Sequence, residues 1–484
     1  MEYLLLATIV LPIIGAVFAG LSSGRAAGRL ALFIALVTAA LALFAGIGSF
    51  PGLTKLTVGT LPWMAELADT DLFGVLLDPL SMLMLLVVVV LGFFVVLYSN
   101  EYISPRNREH PHDSGQGRYY FWLLLFVGAM TGVALSPNLL QLFMFWELTT
   151  ICSWALISHT YEQPALKAGY KALIMTHLGG LGFLIAIVVA YVSVGSVEFN
   201  AISQVRPGLA ATLFVLFLIA AWAKAAQVPF YTWLPDAMTA PTPISCYLHA
   251  AAMVKAGVYL ICRLVLANSG LPLTGALIGV IAALVTMAVA VFLYFFQTDL
   301  KRLLALSTIS QLSYIILGAC LGVFGSTLAY RGAVLHIVAH ACAKGLLFLC
   351  VGAIAYATGR RRIPDLGGLA ARMPLVAVCF IVGLLGVVGV PPFGTFWSKF
   401  YIITGALGLP GTLGPLVGVF LLVESMVVFA WLLYVTQRVF FGAPSEAAQV
   451  AADPPWQMSG SLIVLAALVV AAPLAALAVI SYLL

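Results

Sequence analysis

From end to end the chain reads as apolar runs of about twenty residues joined by short polar links. A helix needs about 20 predominantly apolar residues to cross the hydrocarbon core of a bilayer. Fourteen stretches qualify, near 3–20, 29–48, 74–98, 119–135, 138–158, 168–194, 209–230, 243–266, 273–296, 302–322, 328–356, 374–405, 411–437 and 460–483. In hydrocarbon each backbone N–H and C=O must find its partner within the protein, so such runs are expected to be helices. The fold class that follows is an all-α polytopic membrane protein of about fourteen transmembrane helices. Only 8% of residues are charged, against about 25% in a soluble domain. The longest polar segments, 99–118, 357–372 and 441–459, leave no room for a nucleotide or flavin fold.

The first run begins at Tyr3 without a basic segment before it and without a small-residue cleavage site ahead of Arg25 and Arg29, so it is expected to stay as a span. The seven cysteines (152, 246, 262, 320, 342, 350 and 379) form no CxxC pair, which indicates neither an iron–sulfur site nor a disulfide framework. The net charge of +5 sorts by side rather than marking a nucleic-acid surface. With the N-terminus outside, Arg25, Arg29, Arg106, Arg108, Arg118, Lys167, Lys301, Arg302, Arg360, Arg361, Arg362, Arg372 and Arg438 fall in cytoplasmic loops. Lys55, Arg206, Arg263 and Arg331 fall on the outer side. The positive-inside rule then places both termini outside a prokaryotic cytoplasmic membrane.

Against this apolar background five ionisable residues stand inside spans: Glu147, Lys224, Lys255, Lys344 and Lys399. A charge at the bilayer centre costs roughly 2.5–3.5 kcal/mol on insertion scales, so five cost on the order of 15 kcal/mol before pairing. Groups kept at that cost point to passage of protons or ions. Two spans are also interrupted by proline close to a lysine, Pro229 after Lys224 and Pro391 and Pro392 before Lys399. Proline frees the carbonyl four residues earlier, here those of Ala225, Val387 and Val388. Broken helices in corresponding halves mark transport sites in inverted-repeat proteins; an ordinary proline kink is the alternative. Residues 118–265 and 266–440 would be the two halves, with five spans each and opposite orientation. They follow three spans in 1–117 and precede a loop and last span in 441–484.

His336, His340 and Lys344 recur at i, i+4 and i+8, which makes a polar stripe about 12 Å long on one helix face. Imidazole accepts at one nitrogen while donating at the other, so the stripe suits proton relay. Zinc binding lacks a third ligand nearby, and plain helix packing is the other reading. Glu147 near Lys224 is the second constellation: charges about 10 Å apart at an effective dielectric near 20 couple by about 1.7 kcal/mol, enough to bias a titrating lysine. The alternative for Glu147 is a packing hydrogen bond. His249 and Lys255, six residues apart, do not share a face of a regular helix, so they line one path only if that helix is irregular. Glu424 is either an exit-side partner of Lys399 or a packing acid. Lys171 and His177 are candidates for proton uptake from the cytoplasm, with surface snorkelling the alternative for Lys171, and Asp78 sits at a span end.

The segments FWELTTICSW, KAAQVPFYTWLPDAMTAPTPISCYLHAAAMVKAGVYLICR, AHACAKGLLFL and GVPPFGTFWSKF together resemble the antiporter-like subunits shared by respiratory complex I, Mrp-type Na+/H+ antiporters and membrane-bound hydrogenases. The resemblance runs over roughly residues 75–440. It implies fourteen helices with two inverted five-helix repeats and a midplane chain of charged residues. Glu147 and Lys224 would form the first-repeat pair, Lys344 a central relay and Lys399 the terminal lysine. His249 with Lys255 is similar to the pattern of the large Mrp subunit. The resemblance also implies no redox cofactor, and partners that are other membrane subunits, homologous ones among them. Two departures stand out: the sixth helix reads THLGGLG, with His177 and no acid, and the chain ends one helix after the second repeat, without the long lateral helix or extended tail of the largest relatives.

The function expected is that of a proton-translocating subunit of a multisubunit redox-driven or antiporter complex, with no redox, hydrolytic or metal centre of its own. The path would run through Glu147, Lys224, His249, Lys255, His336, His340, Lys344, Lys399 and Glu424. An Mrp-type Na+/H+ antiporter subunit is the alternative, as is the membrane partner in a two-component proton-coupled ion or inorganic carbon transporter.

Overall fold

The computed structural model describes residues 1–50, 52–59, 73–111 and 114–483. Its long helices are α1 (Glu2–Leu21), α2 (Gly24–Ser49), α3 (Pro79–Tyr102), α4 (Gln116–Leu135), α5 (Leu139–Ile157), α6 (Gln163–Val194), α7 (Pro207–Lys224) and α8 (Thr242–Ala250). They continue as α9 (Met253–Ala267), α10 (Leu273–Tyr294), α11 (Leu300–Val323), α12 (Thr327–Thr358), α13 (Pro374–Val388), α14 (Gly394–Leu407), α15 (Leu413–Phe441) and α16 (Trp456–Ile480). Among the described residues 13 helices are long and apolar enough to cross a membrane, α8 and α9 counting as one. The remaining apolar run is built from α13 and α14 in succession, each short on its own. The protein is therefore a multi-pass, all-α membrane protein. A short antiparallel strand pair, β1 (Thr54–Gly59) with β2 (Phe73–Leu77), is tied to the start of α5. There the Gln141 amide gives and takes one 2.9 Å bond each with the backbone of Gly74.

α11 and α12 are buried over their whole apolar windows, whereas α15 and α16 bury about a third or less of theirs. The outward faces of the peripheral helices carry Phe33, Val192, Phe292, Leu416 and Met426, as lipid contact requires. By contrast Lys224, His249, Lys255, His336, His340 and Lys344 are fully buried. Lipid gives apolar side chains no incentive to leave it, so helices in a bilayer hold together by close packing and internal hydrogen bonds. Two glycines show how near they come. A Cβ on Gly257 would sit 2.6 Å from the carbonyl oxygen of Ala221, so its absence lets α9 lie against the end of α7. A Cβ on Gly332 would sit 2.9 Å from the Ser398 carbonyl oxygen and from the Ile402 nitrogen, so α12 and α14 meet backbone to backbone. These two crossings bring the lysine-bearing segments to the centre.

Three helices are interrupted. α7 stops at Lys224, after which Ala226 takes a left-handed φ of 51° before Pro229. α13 stops at Val388, and the chain passes Pro391 and Pro392 before α14 begins. Both breaks lie where the prolines place them. The third, at Ala251 and Ala252 between α8 and α9, has no proline or glycine to announce it. It supplies the irregularity that His249 and Lys255 need to face a common interior.

Lys301, expected in a cytoplasmic loop, and Arg263, expected on the outer side, are both buried. Lys301 is buried in the first turn of α11 and donates to the Ala240 carbonyl at 2.7 Å. Arg263 is buried on α9 and bonds both carboxylate oxygens of Asp78, which also caps α3. A cation at a helix start or a span end reads as a loop residue in sequence, and only the tertiary partner reveals its burial.

Candidate functional site

The site is a file of ionisable side chains from α5 and α6 on one flank to α15 on the other. At the α5–α6 flank Glu147 Oε2 lies 2.9 Å from His177 Nδ1, with side chains 21% and 54% exposed. The other Glu147 oxygen is buried with no hydrogen-bond partner among the described residues. The histidine that stands where an acid was missing from α6 thus engages the carboxylate on α5.

Lys224 is the last residue of α7 and fully buried. Its amine donates to the Trp146 carbonyl at 2.8 Å and to the hydroxyls of Thr149 and Thr150 at 2.7 Å each. Three acceptors match the three donors of an ammonium group. The coupling expected between Glu147 and Lys224 acts across about 10 Å and needs no contact, and the two make no ion pair among the described residues; Lys224 bonds instead the carbonyl of the peptide leading into Glu147. The reason is helical geometry: Thr149, Thr150 and the Trp146 carbonyl lie on the inner face of α5, while Glu147 points toward α6. Across the break, the freed Ala225 carbonyl accepts from the Gln227 amide at 2.9 Å, and the Gln227 oxygen accepts from Ser313 on α11 at 2.6 Å. One side chain therefore satisfies the broken backbone and ties it to the central helix.

In the middle of the file Lys255, on the first turn of α9, places its amine 3.0 Å from Nδ1 of His340 on α12. One turn away, the His336 ring centre lies 6.0 Å from that of His340. Nδ1 of His336 is 2.7 Å from the Ser398 hydroxyl of α14. Lys344 is held apart, donating to the Leu304 carbonyl of α11 at 3.2 Å. The stripe on α12 is thus real, but its partner from α9 meets the histidine and not the lysine. The His249 ring lies tilted against that of Phe348, centres 4.6 Å apart, with both nitrogens buried and unpartnered among the described residues.

Tyr314 of α11 organises the far flank. Its ring stacks on His336 with centres 5.6 Å apart, and the Lys399 amine lies 4.8 Å from its centre. Its hydroxyl donates to Glu424 Oε2 at 2.6 Å and lies 2.8 Å from the Ser425 hydroxyl. Ser310 donates to the other oxygen of Glu424. Lys399 reaches back to the Val388 carbonyl freed at the second break, at 3.2 Å, and to Ser425 at 3.3 Å. Glu424 and Lys399 are accordingly joined through Tyr314 and Ser425. Further buried polar atoms without partners among the described residues are Nε2 of His336 and His340, both amide atoms of Gln311, and the hydroxyls of Ser307 and Tyr294. Leaving a buried polar group unsatisfied costs about 1–3 kcal/mol.

Tyr314, Ser425, Gln227 and the Thr149–Thr150 pair were not singled out from the sequence, because a hydroxyl or amide inside an apolar run has no charge to mark it. Lys171 pairs with Asp236 at 2.8 Å, and Asp236 also meets Arg302 at 3.3 Å. Near the ends of α3 and α12, Glu109 accepts from Tyr102 at 2.7 Å and meets Arg361 at 3.1 Å. Burial pushes the Glu109 carboxyl up, but Lys301, Arg361, the Tyr102 hydrogen bond and His110 together hold it below its ordinary value.

Residues 136–427 match the family described as NADH:quinone oxidoreductase/Mrp antiporter, TM, and residues 63–120 match complex I chain 5 N-terminus. The chain is 39% identical over 353 residues to a chloroplastic NAD(P)H-quinone oxidoreductase subunit 5 of Anthoceros angustus, covering 68% of this chain and 46% of that one. It is 38% identical over 411 residues to Na(+)/H(+) antiporter subunit A1 of Staphylococcus aureus (strain JH9), covering 79% of this chain and 49% of that one. The fold superimposes on a chain of the Mrp complex from Dietzia sp. DQ12-45-1b with a TM-score of 0.84 at 30% identity, over 96% of this chain and 50% of that chain. It also superimposes on a chain of an archaeal membrane-bound sulfane sulfur reductase with a TM-score of 0.85 at 23% identity, over 99% and 96% of the two chains. The chain spans about half the length of the curated relatives it matches.

Proposed function

The chain belongs to the NADH:quinone oxidoreductase/Mrp antiporter membrane family, and from that premise we propose that it carries protons across a cytoplasmic membrane as one subunit of a larger membrane complex. The observation that carries this reading is the buried file itself. Lys224, Lys255 and Lys399 are all buried, each with uncharged oxygens or a ring nitrogen at hydrogen-bonding distance: carbonyls and hydroxyls at Lys224 and Lys399, a ring nitrogen at Lys255. An amine so held can lose its proton without stranding a paired carboxylate. Water meeting the unpartnered nitrogens of His249, His336 and His340 would join the groups that do not touch.

Protons would be taken up beside Glu147 and His177, with Lys171 as a second cytoplasmic route. They would pass Lys224, cross by Lys255, His340 and His336, with His249 and Lys344 beside that route, and leave from Lys399 with Glu424 as its partner. The two halves, 118–265 and 266–440, would act as inverted repeats, each contributing one proline-broken helix, and both termini would lie outside. The exposed flank at Glu147 and His177 would face a neighbouring subunit, whose charge sets the order of transfer.

Reconstituted complex carrying Glu147→Gln, Lys224→Ala or Lys399→Ala tests the reading. Loss of proton transport with the complex still assembled is expected, and near-normal transport in all three rejects it. A second reading, proton movement in exchange for sodium, draws on the relative named as a Na(+)/H(+) antiporter subunit. Sodium dependence of the transport separates the two.

A further inference from the structure

At one end of the bundle, three helices begin around a single cavity of about 630 Å³. They are α2 at Gly24, α4 at Gln116 and α16 at Trp456, whose first residues all line it. None of the three has a side-chain cap bond. The first N–H groups of a helix have no partner within it, and each helix start carries a fractional positive charge.

The side chains carry the same sign. Arg25 and Arg29 of α2 and Arg106 of the loop after α3 line the cavity against one carboxylate, Glu101. Glu101 is already engaged, by Arg106 at 3.4 Å and by the Tyr356 hydroxyl at 2.8 Å. Arg25 and Arg29 are exposed and have no hydrogen-bond or ion-pair partner among the described residues. Two unengaged guanidinium groups one turn apart on one helix face the same space. The guanidinium fork matches the oxygens of a phosphate better than an ammonium does.

The cavity also lies at the edge of the apolar belt. Trp456 is 72% exposed at its rim, Leu21 is 82% exposed just ahead of α2, and Leu32 and Leu97 form its apolar wall. Tryptophan is enriched where protein meets the headgroup layer, and basic pockets between membrane helices on the cytoplasmic side take acidic headgroups.

We propose that this cavity is a phosphate-binding site at the membrane surface, in which Arg25 and Arg29 grip the phosphate oxygens. In a bilayer the phosphate comes from the headgroup of an acidic phospholipid; dissolved inorganic phosphate is the other source of the same chemistry. The site is separate from the proton file and stands whether or not the file carries protons.

The full chain, purified and exposed to phosphatidylglycerol or phosphatidylcholine, is weighed intact by mass spectrometry, with inorganic phosphate as a competing arm. Retention of phosphatidylglycerol over phosphatidylcholine is expected, with binding about tenfold weaker in Arg25→Gln/Arg29→Gln. Both side chains are exposed, so the variant keeps its fold, checked by an unchanged melting temperature. Arg25→Lys/Arg29→Lys, which keeps charge but loses the fork, falls between. Lipid binding that resists millimolar phosphate identifies the lipid as the source. Phosphate binding without lipid selectivity, again lost in the double glutamine variant, identifies the dissolved anion. If neither phosphatidylglycerol nor phosphate distinguishes the wild-type chain from the glutamine variant, the proposal is overturned.

Discussion

The Lys255 amine lies 3.0 Å from Nδ1 of His340, joining α9 to the centre of α12 just past a helix break that no proline causes. In the proposed path this contact would join the flank that holds Lys224 to the flank that holds Lys399. If the two side chains act as one relay, either loss alone removes it. Lys255→Ala and His340→Ala should each slow proton transport by about tenfold or more, a barrier change of about 1.4 kcal/mol. The double variant should be hardly slower than either single one. Proton uptake by reconstituted complex measures all three; additive losses would separate the two residues.

Tyr314 touches His336, Lys399, Glu424 and Ser425 with one side chain. Tyr314→Phe keeps the ring against His336 and Lys399 but removes the hydroxyl bonds. Transport should fall while thermal stability drops by about 1–3 kcal/mol, the cost of leaving the buried Glu424 oxygen without its donor. Stability falling further than that in step with transport in Phe, with full recovery of both in no other variant at this position, would assign the tyrosine to packing.

Gly257 sets the distance between α9 and the end of α7. Gly257→Val inserts side-chain atoms where the Ala221 carbonyl stands and should cost about 1–3 kcal/mol through overpacking. A lowered melting temperature in detergent checks this, and an unchanged one would mean that the two helices are free to separate.

Glu109 meets Arg361 and Tyr102 near the ends of α3 and α12, and its carboxyl is held below its ordinary value. A depressed acid contributes stability above its unfolded pKa of about 4.3 and loses it as pH falls through the lower folded value. Glu109→Gln should therefore melt below the wild type at neutral pH, by about 1–3 kcal/mol. The gap should close only below about pH 4. Melting curves across pH give the result; a gap that widens in acid would contradict the pairing.

The spans were legible because a bilayer demands long apolar runs, and each of the fourteen stretches corresponds to a helix or a helix pair. Two breaks were legible because proline cannot donate. The break at Ala251–Ala252 was not, since alanine favours helix and only the surrounding packing opens it. The charged members of the file announced themselves by their cost in an apolar run. Their partners did not: Lys224 chooses Thr149 and Thr150 over Glu147, and Glu147 chooses His177, through side-chain directions that spacing along one chain does not encode.

The most direct measurement is proton transport by reconstituted complex carrying Lys224→Ala or Lys399→Ala, compared with wild type at equal assembly. Both variants should lose most of their transport, because each removes an end of the buried file. Wild-type rates in both, with the neighbouring subunits still bound, would mean that protons cross elsewhere.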